Sequence, residues 1–343
     1  MWRGGLKPTI YDVAKRAGVS TATVSRFVNR AGPVAGPTGK RIETAVLALG
    51  YRPNGIARSL VTKTTHTIAF LLPDITNPFF PSLVKGVQLL ANERSYVLLL
   101  CSTLSDPRKE EEYLRLLQAK QVDGILAVGL VLPRSQIERF TSAGVPLVSL
   151  DRDIDYPSAP RVHVNHRKGA QVATQHLLAL GHRAIAHVSG PPQLRVSRER
   201  LAGYEAALSA ARVRRDERLR VTGDFSEDGG YRGVERLLGE AVHFTAVFAA
   251  NDLSAIGAIA ALKAHGRRVP EDVSVVGFDD IHLAAYTSPP LTTIHQPALE
   301  MGRCATEILI QAIADGQGRP RSNDRVFEGP LIVRDSTSPL GRG

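Results

Sequence analysis

Cysteine is nearly absent from this chain of 343 residues: only Cys101 and Cys304 occur, with neither a CxxC pair nor a Cys/His cluster. Neither a disulfide framework nor a zinc site is suggested, and both thiols are expected to be small buried hydrophobes. Apolar runs of about 18 residues, the length a membrane-spanning helix needs, are also missing. The N-terminus MWRGGLKPT lacks the apolar stretch of a signal peptide, so a soluble cytoplasmic protein with no membrane partner is expected. GxGxxG, Walker A and GxSxG motifs do not occur, and the Ser, His and Asp residues form no recognisable catalytic set. No catalytic residue, metal or cofactor is expected, and the chain does not read as an enzyme.

What is present is a lopsided charge. Up to residue 60 there are ten basic residues against two acidic ones, Asp12 and Glu43, while the whole chain carries +10. The basic excess is therefore a local patch, and a polyanion partner follows from counterion release. Within the patch, TIYDVAKRAGVSTATVSRFVN at 9–29 reads as two short helices around a tight turn, a helix-turn-helix. Ile10, Val13, Ala14 and Ala17 share one face, with Asp12, Lys15 and Arg16 opposite. Gly18 supplies the left-handed turn residue. Ser20 caps the second helix with Thr23 in place of the usual Glu, half of a capping box. That helix buries Ala22 or Val24, with Phe27 and Val28 in part, and turns Thr21, Thr23, Ser25, Arg26 and Asn29 outward. Such a face suits the major groove of double-stranded DNA.

A third helix over 37–49 closes a small core through Ile42, Ala45, Val46 and Leu49, although Gly39 weakens its first turn. Tyr51 to Asn54 breaks the chain, and Asn54 caps a short helix to Leu60 that orders on binding. From Thr67 the style changes to apolar strands alternating with amphipathic helices, from TIAFLLP at 67–73 to VSVVGF at 273–278. Runs buried on both faces and alternating with helices mean parallel sheets, and their number overfills one sheet. The fold class is thus α/β, two doubly wound parallel-sheet lobes behind an all-α headpiece. The expected division is 1–50 headpiece, 51–64 hinge helix and linker, 65–343 two-lobed core. Ligands of such a core bind at the carboxyl ends of the strands.

The phrases TIYDVAKRAGVSTATVSR, GYRPNGIARSL, PDITNPFF, VDGILAVG, HLLALGHRAIAHVSGP, RERLAGYEAAL, FAANDLSAIGAI, VPEDVSVVGFDD and PPLTTIHQP, in this order, resemble the LacI/GalR family of bacterial repressors from Thr9 to about Thr337. The resemblance implies a core similar to type I periplasmic sugar-binding proteins. It places Thr21 and Ala22 as base readers at the start of the recognition helix, with Arg26 the expected bidentate reader of guanine. Ser20, Thr23, Ser25 and Asn29 are assigned to phosphates, and Thr9 completes the DNA-facing set. Family hinge helices pair in a homodimer on a palindromic operator, and Leu60, with Asn54 and Ala57, occupies the position that inserts into the minor groove.

For the effector, the resemblance maps a cleft onto Asn77, Phe79, Phe80, Asp151, Arg198, Arg200, Phe225, Asn251 and Asp279. An aromatic floor with carboxylates and amides suits a sugar or sugar derivative, while a purine corepressor would use the same cleft; a transport protein is the rival from another class. Asp252 is read as a helix cap and Asp280 as a turn residue. Two positions depart from the family pattern: Val196 replaces a small hydroxyl residue, and Asn165-His166 stands for Asp-Asn. His166 is read first as a surface or helix-start histidine, second as an effector ligand or pH-sensitive group.

Overall fold

The computed structural model describes residues 8–28, 32–51, 64–142, 144–152, 154, 156, 158–316 and 324–341. Asn29, and the expected hinge helix with Asn54, Ala57 and Leu60, lie outside the described residues. The chain divides into two compact units, Met1–Thr65 and His66–Gly343. Thr65 against His66 is one residue from the linker end read in the sequence.

In the first unit, α1 (Ile10–Ala17), α2 (Thr21–Val28) and α3 (Gly36–Leu49) enclose Val13, Ala14, Ala17, Val24, Ile42 and Ala45. The start of α1 is the better capped: the Asp12 carboxylate accepts from the Thr9 amide at 2.8 Å and the Thr9 hydroxyl at 2.7 Å. At α2 the half-box is seen as read, with the Thr23 amide donating to Ser20 Oγ at 3.2 Å and the two hydroxyls 2.9 Å apart. Val24 is fully buried and Ala22 is exposed, which settles which of them packs. Gly39 has a packing reason, because a Cβ there would stand 3.0 Å from the Phe27 ring.

The second unit holds two six-stranded sheets. In the first lobe β1 (Thr67–Leu72), β2 (Val97–Ser102), β3 (Gly124–Ala127), β4 (Leu147–Leu150), β5 (Arg161–Val164) and β11 (Arg325–Phe327) run in the order β11-β5-β4-β3-β1-β2, all parallel. The second lobe places β6 (Ile185–Ser189), β7 (Arg220–Thr222), β8 (Ala246–Ala249), β9 (Ser274–Asp279), β10 (Thr292–His295) and β12 (Leu331–Ile332) in the order β12-β10-β9-β8-β6-β7. Only β12 is antiparallel. The central strands are buried on both faces, as expected of sheets flanked by helices.

Eight helices cover these sheets among the described residues: α4 (Phe79–Glu93), α5 (Pro107–Lys120), α6 (Arg134–Thr141), α7 (His166–Ala179), α8 (Arg195–Ala210), α9 (Glu227–Gly239), α10 (Asp252–Ala264) and α11 (Ala298–Ala314). The last of them follows a strand of the second lobe yet packs on α4 and against β3, β4 and β5 of the first. A Cβ on Gly86 or Gly302 would overlap the backbone of the partner helix, so this crossing is closed by glycine on both sides. Ion pairs Arg94–Glu307 and Arg303–Glu93 flank it, but both are exposed and add little. The chain passes between lobes three times, at Asn165, at Gln296-Pro297 and between β11 and β12.

Candidate functional site

Where the strands of both sheets end, several backbones take up conformations that side chains resist. Asp151 after β4, Phe225 after β7, Asp279 at the end of β9 and Asp280 beside it have φ of +54°, +68°, +117° and +56°. Such strain is tolerated where surrounding contacts over-determine it, and it clusters at ligand sites. Of these residues, Asp151 and Asp279 enter one polar network and Phe225 stands beside it.

At its centre Arg200, on α8, is 3% exposed. Its guanidinium donates to the Ala250 carbonyl at the end of β8, to His166 Nδ1 at 3.3 Å and to Asp279 Oδ1 at 3.4 Å. It also lies 3.8 Å from the centroid of the Phe278 ring. Gln296, at the second crossover, donates to Asp279 Oδ1 at 2.8 Å. On the other side His166 Nε2 faces Asp151 Oδ1 of the first lobe at 3.4 Å, too long for a full hydrogen bond. Four buried polar atoms of this network, Asp151 Oδ1, His166 Nε2, Arg200 Nε and Gln296 Oε1, have no hydrogen-bond partner. Unsatisfied buried groups are costly, and their concentration at one place marks where a polar molecule would be held.

The electrostatics follow from burial and neighbours. Burial pushes the Asp279 carboxyl up to about 7, against the pull of Arg200. Burial also acts to raise Asp151, but His166, Arg200 and Arg152 outweigh it and hold that carboxyl below the usual range. His166 is held below the ordinary imidazole value because burial outweighs the attraction of Asp151. The neutral imidazole therefore lies between a carboxylate and a guanidinium.

Beside the network Arg152 lies between two aromatic rings, 5.5 Å from the centroid of Phe80 of the first lobe and 5.0 Å from that of Phe225 of the second. A cavity of about 410 Å³ opens there, with Asn77, Phe80, Arg152, Leu194 and Phe225 in its wall. Gly190, after β6, makes room for Phe225, because any Cβ on it would overlap that ring. Val196 joins Leu194, Phe225 and Ala250 in a small apolar cluster on the same side.

The effector residues expected from sequence are thus distributed unevenly. Phe80, Asp151, Arg200, Phe225 and Asp279 converge on the network and the cavity. Asn77 reaches the cavity wall while its Oδ1 accepts from the Phe79 amide at 3.0 Å. Phe79 is 4% exposed, part of the first-lobe core, and meets Phe80 edge to face. Asn251 is spent inside the protein: Nδ2 donates to the Phe225 carbonyl at 2.9 Å and Oδ1 accepts from Ser254 at 3.0 Å, so it holds Phe225 in place. Arg198 stands apart, exposed and donating to the carbonyls of Pro192 and Gln193.

Two expectations are corrected. The cap of α10 is Asn251, whereas Asp252 is fully buried, accepting from the Ile281 amide at 2.8 Å and from the Thr293 hydroxyl. Its carboxyl fastens the end of β9 to β10, a reach across sequence that a local cap reading cannot see. His166 does start a helix, but it is 1% exposed and no surface group. Asp280 is the turn residue expected, tied to His295 and Arg334 at 2.8 and 2.7 Å. Arg152 and Gln296 were not foreseen, though Arg152 adjoins Asp151 and Gln296 lies within the phrase PPLTTIHQP.

In the headpiece, Ala22 and Arg26 are exposed and Thr21, Thr23 and Ser25 half-buried along α2, while Ser20 and Thr9 are exposed at the two helix starts. No helix among the described residues is long and apolar enough to cross a membrane.

Comparison with known proteins agrees with both units. The family model described as bacterial regulatory proteins, lacI family, matches residues 9–54, and that of a periplasmic binding protein-like domain matches residues 174–337. The chain is 40% identical over 337 residues to the HTH-type transcriptional repressor PurR of Aliivibrio salmonicida, covering 97% of this chain and 99% of that one. It is 39% identical to the ribose operon repressor of Escherichia coli, covering 89% and 93%. Among solved structures it resembles the lac repressor dimer bound to operator and the anti-inducer ONPF, with a TM-score of 0.84, 29% identity and coverage of 97% and 100%. With relatives of this identity along nearly its whole length, the chain belongs to the lacI family of bacterial regulatory proteins, as a DNA-binding repressor, not an enzyme, regulated by a small-molecule effector.

Proposed function

We propose that the effector is a small, neutral, polyhydroxylated ring, a monosaccharide, seated in the cavity beside Phe80, Arg152 and Phe225 with its hydroxyls turned towards Asp151, Arg200, Asp279 and Gln296. The observation that carries this reading is the set of unpartnered buried atoms in the Asp151–His166–Arg200–Gln296 network. They include two acceptors, Asp151 Oδ1 and Gln296 Oε1, and a donor, Arg200 Nε, and a hydroxyl both donates and accepts, so vicinal hydroxyls satisfy both kinds where a flat heterocycle with few donors would not. The 39% identity to a ribose operon repressor supports a pentose.

A second reading is a purine base acting as corepressor. Whole-chain likeness favours it, since the relative named PurR is 40% identical over a larger share of the chain. So do the aromatic rings of Phe80 and Phe225 in the cavity wall, against either of which a planar base can stack. One experiment separates the two: calorimetric titration of the full-length protein with D-ribose, other pentoses and hexoses, hypoxanthine and guanine. Heat with sugars alone supports the first reading; heat with the bases alone overturns it in favour of the second.

The output is operator binding. Arg26 and the small side chains of α2 enter a major groove, and the chain acts as a homodimer on a palindromic site. Each lobe carries exposed apolar side chains suited to pairing: Val97, Leu99 and Leu100 on the edge strand β2, and Leu283 with Tyr286 beyond β9. Effector binding shifts the population between core states of different operator affinity, which requires that it bind one of them more tightly.

A further inference from the structure

His166 starts α7, where the chain first crosses between lobes. Its surroundings assign its protons. Arg200 Nη2 only donates, so Nδ1 at 3.3 Å is the acceptor and carries no hydrogen. The ring proton is then on Nε2, facing Asp151 Oδ1. A single neutral tautomer thus accepts from the guanidinium of the second lobe and turns its N–H towards a carboxylate of the first, 3.4 Å away. The remaining charged or titratable neighbours are Arg152 beside Asp151, Asp279 on β9, Glu199 on α8 and His163 on β5, whose ring stacks on that of His166 at 6.4 Å. Phe278 closes the site at 5.8 Å between ring centroids.

We propose that His166 is a positioning residue that holds Arg200 and Asp151 for the effector only in this neutral tautomer, making effector affinity fall with acid. Protonation puts an N–H on Nδ1 directly against an N–H of Arg200, so an accepting contact becomes a donor facing a donor, and two cations are left side by side in a buried site. Arg200 then loses one of its three anchors. Burial, which holds His166 below the ordinary imidazole range, sets the loss below the pH at which an exposed histidine titrates.

The affinity part rests on the monosaccharide reading, so the experiment has a ligand-free arm and a ligand arm. In the first, nitrogen-15 shifts of the imidazole are followed from pH 8 to 5 in the full-length protein, with the His166 signals identified by their loss in His166→Asn. Expected is the Nε2–H tautomer at pH 8 and protonation only below the ordinary histidine range. The Nδ1–H tautomer, or titration at or above that range, overturns the proposal whatever the effector proves to be. In the second arm D-ribose is titrated between pH 7.5 and 5. Wild type weakens about tenfold per pH unit once His166 titrates. His166→Asn, whose amide offers an uncharged acceptor and donor, keeps only the pH dependence that Asp279, raised to about 7, contributes; it lacks the further acid-side loss and binds more tightly than His166→Leu at every pH. Equal profiles in wild type and His166→Asn overturn the proposal. No heat with D-ribose at any pH counts against the sugar reading instead, and the first arm decides alone.

Discussion

The ring of Phe225 occupies the space that any side chain on Gly190 would need. Gly190 follows β6 and Phe225 follows β7, so the aromatic wall of the cavity depends on a backbone 35 positions away in the sequence. Gly190→Ala must therefore move Phe225, whose carbonyl is also held by Asn251. Effector affinity is expected to fall by about tenfold or more, the loss of one stacking contact at roughly 1–1.5 kcal/mol. Calorimetry with the effector checks this, and operator binding without effector should persist.

Arg26 is exposed on the recognition helix and is the one side chain there with the fork that guanine recognises. Arg26→Ala is expected to weaken specific operator binding by about 1–3 kcal/mol and to relax preference at one base position. Selection of binding sites from a random pool measures it; an unchanged consensus would remove Arg26 from base reading.

His187 is buried between the rings of Tyr204 and Phe248, at 5.0 and 4.9 Å, with Nδ1 bonded to the Phe248 carbonyl at 2.9 Å. Burial pushes its pKa down to about 4. The folded state therefore binds fewer protons than the unfolded one between pH 6.5 and about 4, and stability drops as the pH falls through that window, by about 3 kcal/mol. Glu110, raised by burial to about 7, acts in the opposite sense, losing stability as pH rises from its unfolded value. Urea unfolding of wild type and His187→Phe isolates the histidine: the wild type's additional loss of stability should be absent above pH 7 and grow towards pH 4.

Asp252→Ala leaves the Ile281 amide and the Thr293 hydroxyl without their acceptor in a fully buried place. A loss of about 1–3 kcal/mol per unsatisfied donor is expected, offset in part because burial raises the pKa of this carboxyl and the wild-type charge is itself disfavoured. Thermal melting of the full-length variant at neutral pH tests it.

Removing residues 1–65 should abolish operator binding and leave effector binding intact, since the unit His66–Gly343 has its own core. Gel-shift and calorimetric assays on the truncated chain check both halves of that statement.

Much of the fold was legible because its signals are local. The apolar runs at 67–73 and 273–278 are plain in the sequence because the strands they form, β1 and β9, are almost wholly buried. The strands β5, β7, β11 and β12 carry no such signal, being two to four residues long with exposed or half-buried positions, and β10, although buried, has only four residues. The return of helix α11 to the first lobe has no local signal at all: Arg303 meets Glu93 and Arg94 meets Glu307, pairs more than 200 residues apart. The site shows the same division. Asp151, Arg200, Phe225 and Asp279 came from motif resemblance, whereas the roles of His166 and Gln296 depend on both being brought together at crossovers, which only the assembled sheets reveal.

Those crossovers bear on how the protein is made. The first lobe receives β11 and the covering helix α11 from the last 50 residues of the chain, and the second receives β12. Neither lobe is finished when the ribosome has delivered most of it; the apolar groove beside α4 stays uncovered until α11 emerges. Nascent chains should therefore remain chaperone clients until termination, and a late stop codon should yield an aggregating product, not a shortened working repressor.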